Sequence, residues 1–372
     1  MTSSEWLLAL FVFAVTFANG ANDNFKGVAT LFGSGAASYR RALWWATATT
    51  AAGCLTALAL AASLAARFNG KGLVPDALTA DPAFLAAVGA GAAATVLLAT
   101  RLGFPISTTH ALTGALVGAG LVAVGQELRF AALGADFVAP LLLSPIAAAF
   151  LVTAVHAVFG AVGRRWHSED VCLCGADKPD VPERPAVAGV RFVHASCTAA
   201  DRVPIVARVS ECAAHGLVPT ATAQRALDAA HFVSAGAVGF ARGVNDTPKL
   251  LALMLPAHVL PTRAAVVLLT AVMAMGGLVA ARRVAETMSH RVTTMTPRQG
   301  FAANVTTAML VLFASRFGLS VSTTHVSSGS LFGLGAVTGQ ARWRTVIQIV
   351  LAWVVTLPCA AACAALALWI LR

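Results

Sequence analysis

Polar positions are sparse along this chain, and their spacing marks out elements. Apolar runs of membrane-spanning length occupy Glu5–Val28, Arg41–Ala66, Pro82–Thr100, Gly103–Val124 and Phe130–Val162, the last carrying Pro140 and Pro145. A second series occupies Ala226–Leu255, Thr262–Ala281, Gly300–Ser315, Gly318–Val337 and Val346–Leu371. A helix needs about 20 apolar residues to cross the hydrocarbon core. The pattern therefore predicts ten membrane segments, five on each side of a polar stretch. Asn22-Asp23 interrupts the first run and Asn245-Asp246 interrupts the sixth, so both helices are expected to break there.

The polar interruptions are duplicated. Gly20-Ala21-Asn22-Asp23-Asn24-Phe25-Lys26 comes again as Gly243-Val244-Asn245-Asp246-Thr247-Pro248-Lys249, an offset of 223. Thr100-Arg101-Leu102-Gly103, followed by Ser107-Thr108-Thr109-His110, comes again as Ser315-Arg316-Phe317-Gly318, followed by Ser322-Thr323-Thr324-His325, an offset of 215. Beyond the histidines, Gly114, Leu116, Gly118 and Gly120 match Gly329, Leu331, Gly333 and Gly335. An odd number of spans in each copy makes the copies enter the membrane from opposite sides. The expected fold is an all-α integral membrane protein of two inverted-topology repeats, about five segments each, with broken or re-entrant helices at the midplane. The expected divisions are a first membrane repeat at 1–163, a polar cytoplasmic linker or insert at 164–223, and a second, inverted repeat at 224–372.

Composition agrees with this pattern. Of 372 residues, 58% are hydrophobic and 11% charged, far below the charge content of a soluble domain. The net charge of +10 does not imply nucleic acid, because Lys and Arg stand singly or in pairs between spans. Arg40, Arg41, Arg101, Arg164, Arg165, Arg282, Arg283, Arg291, Arg298, Arg342 and Arg344 fall on one side, against fewer on the other. The richer side is the cytoplasmic one, which puts the termini outside and the polar stretch inside, in a bacterial-type inner or plasma membrane. The first run lacks a basic residue before it and holds Glu5, so it is expected to be a structural span and not a signal peptide.

The polar stretch contains short β-like runs at 188–193 and 203–209. It also holds Cys172, Cys174, Cys197 and Cys212. These are weak metal candidates, because Cys-x-Cys lacks the gap usual in zinc knuckles, and unpaired thiols are the favoured reading. No cofactor is expected.

An ionisable group at membrane depth costs about 2.5–3.5 kcal/mol on insertion scales and points to function. The plainer alternative, motifs lying at helix ends among headgroups, loses weight because both copies recur. Asn22, Asp23, Asn245 and Asp246 offer hard oxygens to a sodium ion or a proton, and become the coupling-cation candidates. Ser107, Thr108 and Thr109, with Ser322, Thr323 and Thr324, offer hydroxyls and helix N-terminal amides from two sides, which suits a tetrahedral oxyanion. Membrane helices also use Ser and Thr simply to bond their own backbone or a neighbour. His110 and His325 orient those hydroxyls, take a proton, or merely pack.

At these motifs the chain resembles the inorganic phosphate transporter (PiT) family of sodium- or proton-coupled symporters, over essentially both membrane halves. The family signature Gly-Ala-Asn-Asp-Val-Ala-Asn matches Gly20-Ala21-Asn22-Asp23 and then departs, for Lys26 and Lys249 stand where that signature has its second Asn. The resemblance implies that the two Asn-Asp pairs coordinate the coupling cation, H+ or Na+, and that the two Ser-Thr-Thr runs contact phosphate. Each Lys either occupies a sodium position itself, or binds the anion as a point charge, or snorkels to the interface. The expected function is cation-coupled phosphate symport by alternating access, within a lipid bilayer, with a homodimer as the candidate assembly. Sulfate, which a related branch carries, is the alternative anion. An intramembrane enzyme acting on lipid phosphates is disfavoured, because every candidate group is duplicated and no separate catalytic set stands out.

Overall fold

The computed structural model describes residues 2–68, 70–165, 171–177, 191–192, 202–208, 218–255 and 260–372. It is helical apart from one small sheet. The first series of helices is α1 (Ser3–Asp23), the short α2 (Ala29–Gly33), α3 (Tyr39–Phe68), α4 (Pro82–Leu102), α5 (Thr108–Val124) and α6 (Ala139–Arg165). The second is α7 (Ala223–Met254), α8 (Thr262–Ala280), the short α9 (Arg282–Glu286), α10 (Pro297–Arg316), α11 (Thr323–Thr338) and α12 (Trp343–Leu371).

Local chemistry starts the helices where the sequence changes character. Thr2 caps α1 and Thr296 caps α10, each in a capping box closed by Glu5 or Gln299. Asp81 caps α4, with Pro82 in its first turn. Among the described residues six stretches, Ser3–Asp23, Pro82–Leu102, Thr108–Glu127, Phe130–Ala161, Thr262–Ala280 and Trp343–Leu371, are long and apolar enough to cross a membrane, against the ten segments expected. Large apolar side chains cover the perimeter: Phe150 is 74% exposed and Trp369 72%. Asp23, Lys26, Asp246 and Lys249 are buried instead. An apolar outside around a charged inside is the arrangement a lipid solvent selects.

Helix pairing is reciprocal. The motif helix α1 packs on α4 and on α8, while α7 packs on α10 and on α3. Likewise α5 packs on α12, and α11 on α6. At Gly20 an added Cβ would run into the carbonyl of Met273, and at Gly243 into that of Thr50. Both the glycines and the carbonyls they face are separated by 223 positions. Small residues allow this approach of backbones in a membrane, where packing replaces the hydrophobic drive.

Two expectations about helix breaks need correction. The break in the first motif falls just after Asp23, where α1 ends in turns through Lys26 and Phe25. The second motif does not break its helix: α7 runs through Asn245-Asp246 with Pro248 inside it. Proline fixes a helical φ and removes only one intrahelical bond. Here Lys249, one residue on, anchors the turn to the carbonyl of Val321. The spans expected from Gly103 and Gly318 also begin later as helix, at Thr108 and Thr323, because residues 104–107 and 319–322 are not helical.

Within the polar stretch, β1 (Val171–Asp177), β2 (Arg191–Phe192), β3 (Arg202–Arg208) and β4 (Val218–Thr222) form an antiparallel sheet in the order β2-β3-β1-β4. Of the two β-like runs expected from sequence, residues 191–192 fall in β2 and 203–208 in β3, while 188–190, 193 and 209 lie outside the described residues. Cys172 and Cys174 lie on β1, and Cys197 and Cys212 lie outside the described residues. Among the described residues no cluster of His, Cys, Asp and Glu could hold a metal ion.

Candidate functional site

The site forms where two non-helical segments deliver helices end-on to the centre. Gly103 and Gly318, with φ of +78° and +67°, turn the chain out of α4 and α10 in a conformation that other residues rarely adopt. The segments after them lead into α5 and α11. Ser107 and Ser322 are the N-caps, their hydroxyls accepting from the amides of His110 (3.1 Å) and His325 (3.2 Å). Non-helical backbone at membrane depth must find partners within the protein. It finds them among the motif side chains.

Asn22 donates to Thr100 Oγ1 (2.9 Å) and the Phe104 carbonyl (3.0 Å), and accepts from the amide of Ile106 (3.1 Å). Asn245 donates to Thr323 Oγ1 (3.2 Å) and the Val321 carbonyl (3.4 Å), and accepts from Ser315 Oγ (3.1 Å). Each Ser-Thr-Thr run also bonds across to the non-helical segment before the other: Thr109 donates to the carbonyl of Val321 (3.4 Å) and Thr324 to that of Ile106 (2.9 Å).

Each lysine ammonium sits in an oxygen cage built from the same positions of opposite halves. Lys26 donates to Asn22 Oδ1 (2.9 Å), the Ile106 carbonyl (2.8 Å) and Thr324 Oγ1 (2.5 Å), and pairs with Asp23 Oδ1. Lys249 donates to Thr109 Oγ1 (2.9 Å) and the Val321 carbonyl (2.7 Å), with Asp246 Oδ1 at 3.8 Å. Both lysines are buried, so neither snorkels.

Two residues of the centre escaped the sequence reading. Asn19 donates to Asp23 Oδ2 (3.3 Å), Thr108 Oγ1 (3.0 Å) and Asp246 Oδ2 (3.1 Å). Arg242, fully buried, donates to the carbonyl of Asn19 (3.2 Å), Asn19 Oδ1 (2.6 Å) and Asn24 Oδ1 (3.2 Å), and faces Asp246 Oδ2 at 3.6 Å. A signal was present: the 223 offset aligns Asn19 with Arg242, each one helical turn before its Asp. The histidine rings pack against each other at 4.6 Å, and His325 contacts Trp353 at 4.0 Å and the carbonyl of Leu141 (2.9 Å). Their backbone amides, not their rings, engage the serine hydroxyls.

A cleft of about 610 Å³ lies beside the centre, lined by Thr100, Arg101, Arg282, Arg283 and Glu286 among others. Thr100 joins it to the interior, because the same side chain bonds Asn22. Arginines at its mouth give it a basic character.

Comparison with known proteins gives the family. The chain is 28% identical over 371 residues, 98% of its length and 78% of the relative's, to a probable low-affinity inorganic phosphate transporter of Mycobacterium leprae. It is 27% identical over 432 residues, 97% of its length and 71% of the relative's, to the chloroplastic inorganic phosphate transporter 2-1 of Arabidopsis thaliana. The solved structure of a sodium-dependent phosphate transporter superposes with a TM-score of 0.76, covering 100% of this chain and 99% of that one at 21% identity, a likeness of fold. The profile of the phosphate transporter family, a family of transporters and not enzymes, matches residues 19–364. The chain belongs to the phosphate transporter family.

Proposed function

We propose that the protein carries inorganic phosphate across a cell membrane, coupled to a cation gradient, by exposing its buried centre alternately to the two sides. The observation that carries this reading is the convergence of two capped helix N-termini, at Ser107-Thr108-Thr109 and Ser322-Thr323-Thr324, on one centre. Amides and hydroxyls at two opposed helix starts suit a tetrahedral oxyanion. The centre is closed, and the cross-bonds Thr109–Val321 and Thr324–Ile106 are the contacts that part when it opens.

Residues 1–163 and 224–372 act in this reading as two inverted halves, with 164–223 as a cytoplasmic connection and the termini outside. The reciprocal contacts of Gly20 with Met273 and of Gly243 with Thr50 support the pairing of halves. Asn22, Asp23, Asn245 and Asp246 form the cation-responsive part, being bonded directly to the helix starts that take phosphate. The basic cleft beside Thr100 serves as an entrance on the cytoplasmic side.

The test is uptake of labelled phosphate by the purified chain in liposomes, under separate inward proton and sodium gradients. Accumulation is expected, with unlabelled phosphate competing and sulfate failing to compete. No phosphate movement under any gradient would overturn the reading, and equal competition by sulfate would move it to a general oxyanion carrier.

A further inference from the structure

We propose that Lys26 and Lys249 are built-in counter-cations: they fill, from within the chain, the oxygen cages that a free sodium ion would take, so phosphate moves here without sodium. This rests on the transport reading above and deepens it by naming which cation is excluded.

The argument begins with the donor sets. Around Lys26 Nζ stand an amide oxygen, a carboxylate, a backbone carbonyl and a hydroxyl, from Asn22, Asp23, Ile106 and Thr324. Around Lys249 Nζ stand a hydroxyl, a backbone carbonyl and, farther off, a carboxylate, from Thr109, Val321 and Asp246. Carboxylate, amide and carbonyl oxygens beside non-helical backbone are what a small hard cation seeks. An ammonium has three N–H donors, and Lys26 has as many hydrogen-bonding partners besides its carboxylate. It leaves neither the space at the centre of its cage nor a spare donor for an anion. Lys249 spends two donors on oxygens of the other motif and turns toward Asp246 with the rest. The two cages use matching positions, Thr324 with Ile106 and Thr109 with Val321, both pairs related by the offset of 215. A single misplaced lysine would not produce that correspondence twice.

Charge makes the consequence sharper. Among the described residues the buried carboxylates are Asp23 and Asp246, and the buried Lys and Arg side chains are Lys26, Arg242 and Lys249. With His110, His231 and His325 counted as neutral, the centre holds one positive charge in excess. A singly charged oxyanion cancels that excess without any free cation, whereas a dianion leaves a net charge in a medium where uncompensated charge is costly. The species favoured is dihydrogen phosphate, which equals hydrogen phosphate plus one proton. Its proton is then the coupled cation, and sulfate, which stays doubly charged near neutrality, is disfavoured.

The experiment compares initial rates of phosphate uptake into liposomes containing the full chain, with sodium or choline outside at fixed pH, and then at falling external pH without sodium. The expected result is no fold-change between sodium and choline and a rate that rises as the outside is acidified. Uptake that needs sodium overturns the proposal while leaving phosphate transport standing. No uptake under any condition removes the transport reading and this inference with it. A second readout avoids transport altogether: the unfolding temperature of the purified wild type is expected not to move with sodium relative to choline, and a sodium-specific rise overturns the proposal. The paired variant Lys26→Asn with Lys249→Asn empties both cages, and where it unfolds cooperatively it is expected to gain a sodium-dependent rise in that temperature. Its sodium-stimulated uptake is expected to exceed its choline rate by about tenfold. A folded double variant indifferent to sodium would show that the cages are not cation sites, and would sink the idea.

Discussion

The two halves of the centre share a matching hydroxyl and carbonyl in their lysine cages and are unlike in their charge. In the first half Asp23 faces Lys26 closely, and the position one turn earlier is the neutral Asn19. In the second half Asp246 is shared between Lys249 at 3.8 Å and Arg242 at 3.6 Å, because an arginine stands at the position matching Asn19. The first half is therefore neutral in itself, and the second carries the positive excess. Arg242 also spans the halves, donating to Asn19 and Asn24 on the other motif. Hydroxyls, carbonyls and asparagines set the shape of the site from both sides equally. One residue decides where its charge lies.

Exchanging that residue is the strongest way to break the comparison. Asn19→Arg alone places a second guanidinium against that of the intact Arg242, and is expected to abolish uptake and folded yield. Arg242→Asn alone strands the oxygens that Arg242 now satisfies and removes one cation from Asp246. Breaking a buried, bonded charge of this kind costs about 3–5 kcal/mol, which a thermal or denaturant titration of the purified protein measures. The double exchange Asn19→Arg with Arg242→Asn moves the charge to the first half and is expected to be milder than the two single losses added together. A strictly additive result would mean the halves are not equivalent at this position.

The close backbone contacts test the symmetric part. Gly20→Ala and Gly243→Ala each force a methyl into a carbonyl of the neighbouring helix, Met273 in one case and Thr50 in the other. Overpacking costs about 1–3 kcal/mol, and the two losses are expected to be alike in thermal unfolding. A large difference would show that the α1–α8 and α7–α3 contacts do not play matching parts.

The apolar periodicity carried most of the fold into view, because in a membrane a span needs little beyond length and the absence of charge. It placed the start of α4 at Pro82 and the end of α7 within a residue or two. Apolarity alone did not mark the non-helical segments 104–107 and 319–322, since Phe104, Ile106, Leu319 and Val321 are as apolar as any helix, although Pro105 and the cap serines Ser107 and Ser322 carry the signal. The partners of these segments are distant in sequence: Asn22 on the Phe104 carbonyl and the Ile106 amide, Trp353 on the Pro105 carbonyl, and Asn245 on the Val321 carbonyl. Duplication brought out the candidate residues, and difference concealed Asn19 and Arg242. Asn-Asp and Ser-Thr-Thr stood out because both copies agree, while Arg242 did not because its counterpart is Asn19. The break expected in α7 did not form even though its copy carries Thr247-Pro248 where the first has Asn24-Phe25.

The smallest effects are expected at the serine caps, and there the halves should behave alike. Ser107 and Ser322 each accept from an amide three residues on, at 3.1 and 3.2 Å. Replacing an N-cap serine by alanine costs about 1 kcal/mol, and by glycine only a few tenths. The pair of substitutions therefore separates two jobs of one hydroxyl. As a cap alone, Ser107→Gly would keep both stability and phosphate affinity, and Ser107→Ala would lose a little stability. As a cap that also touches phosphate, the glycine variant would unfold near the wild-type temperature yet show a raised KM for phosphate, matching the alanine variant in KM but not in stability. We expect the second outcome at Ser107 and again at Ser322. A raised KM at one serine only would extend the asymmetry of Arg242 from charge to substrate contact.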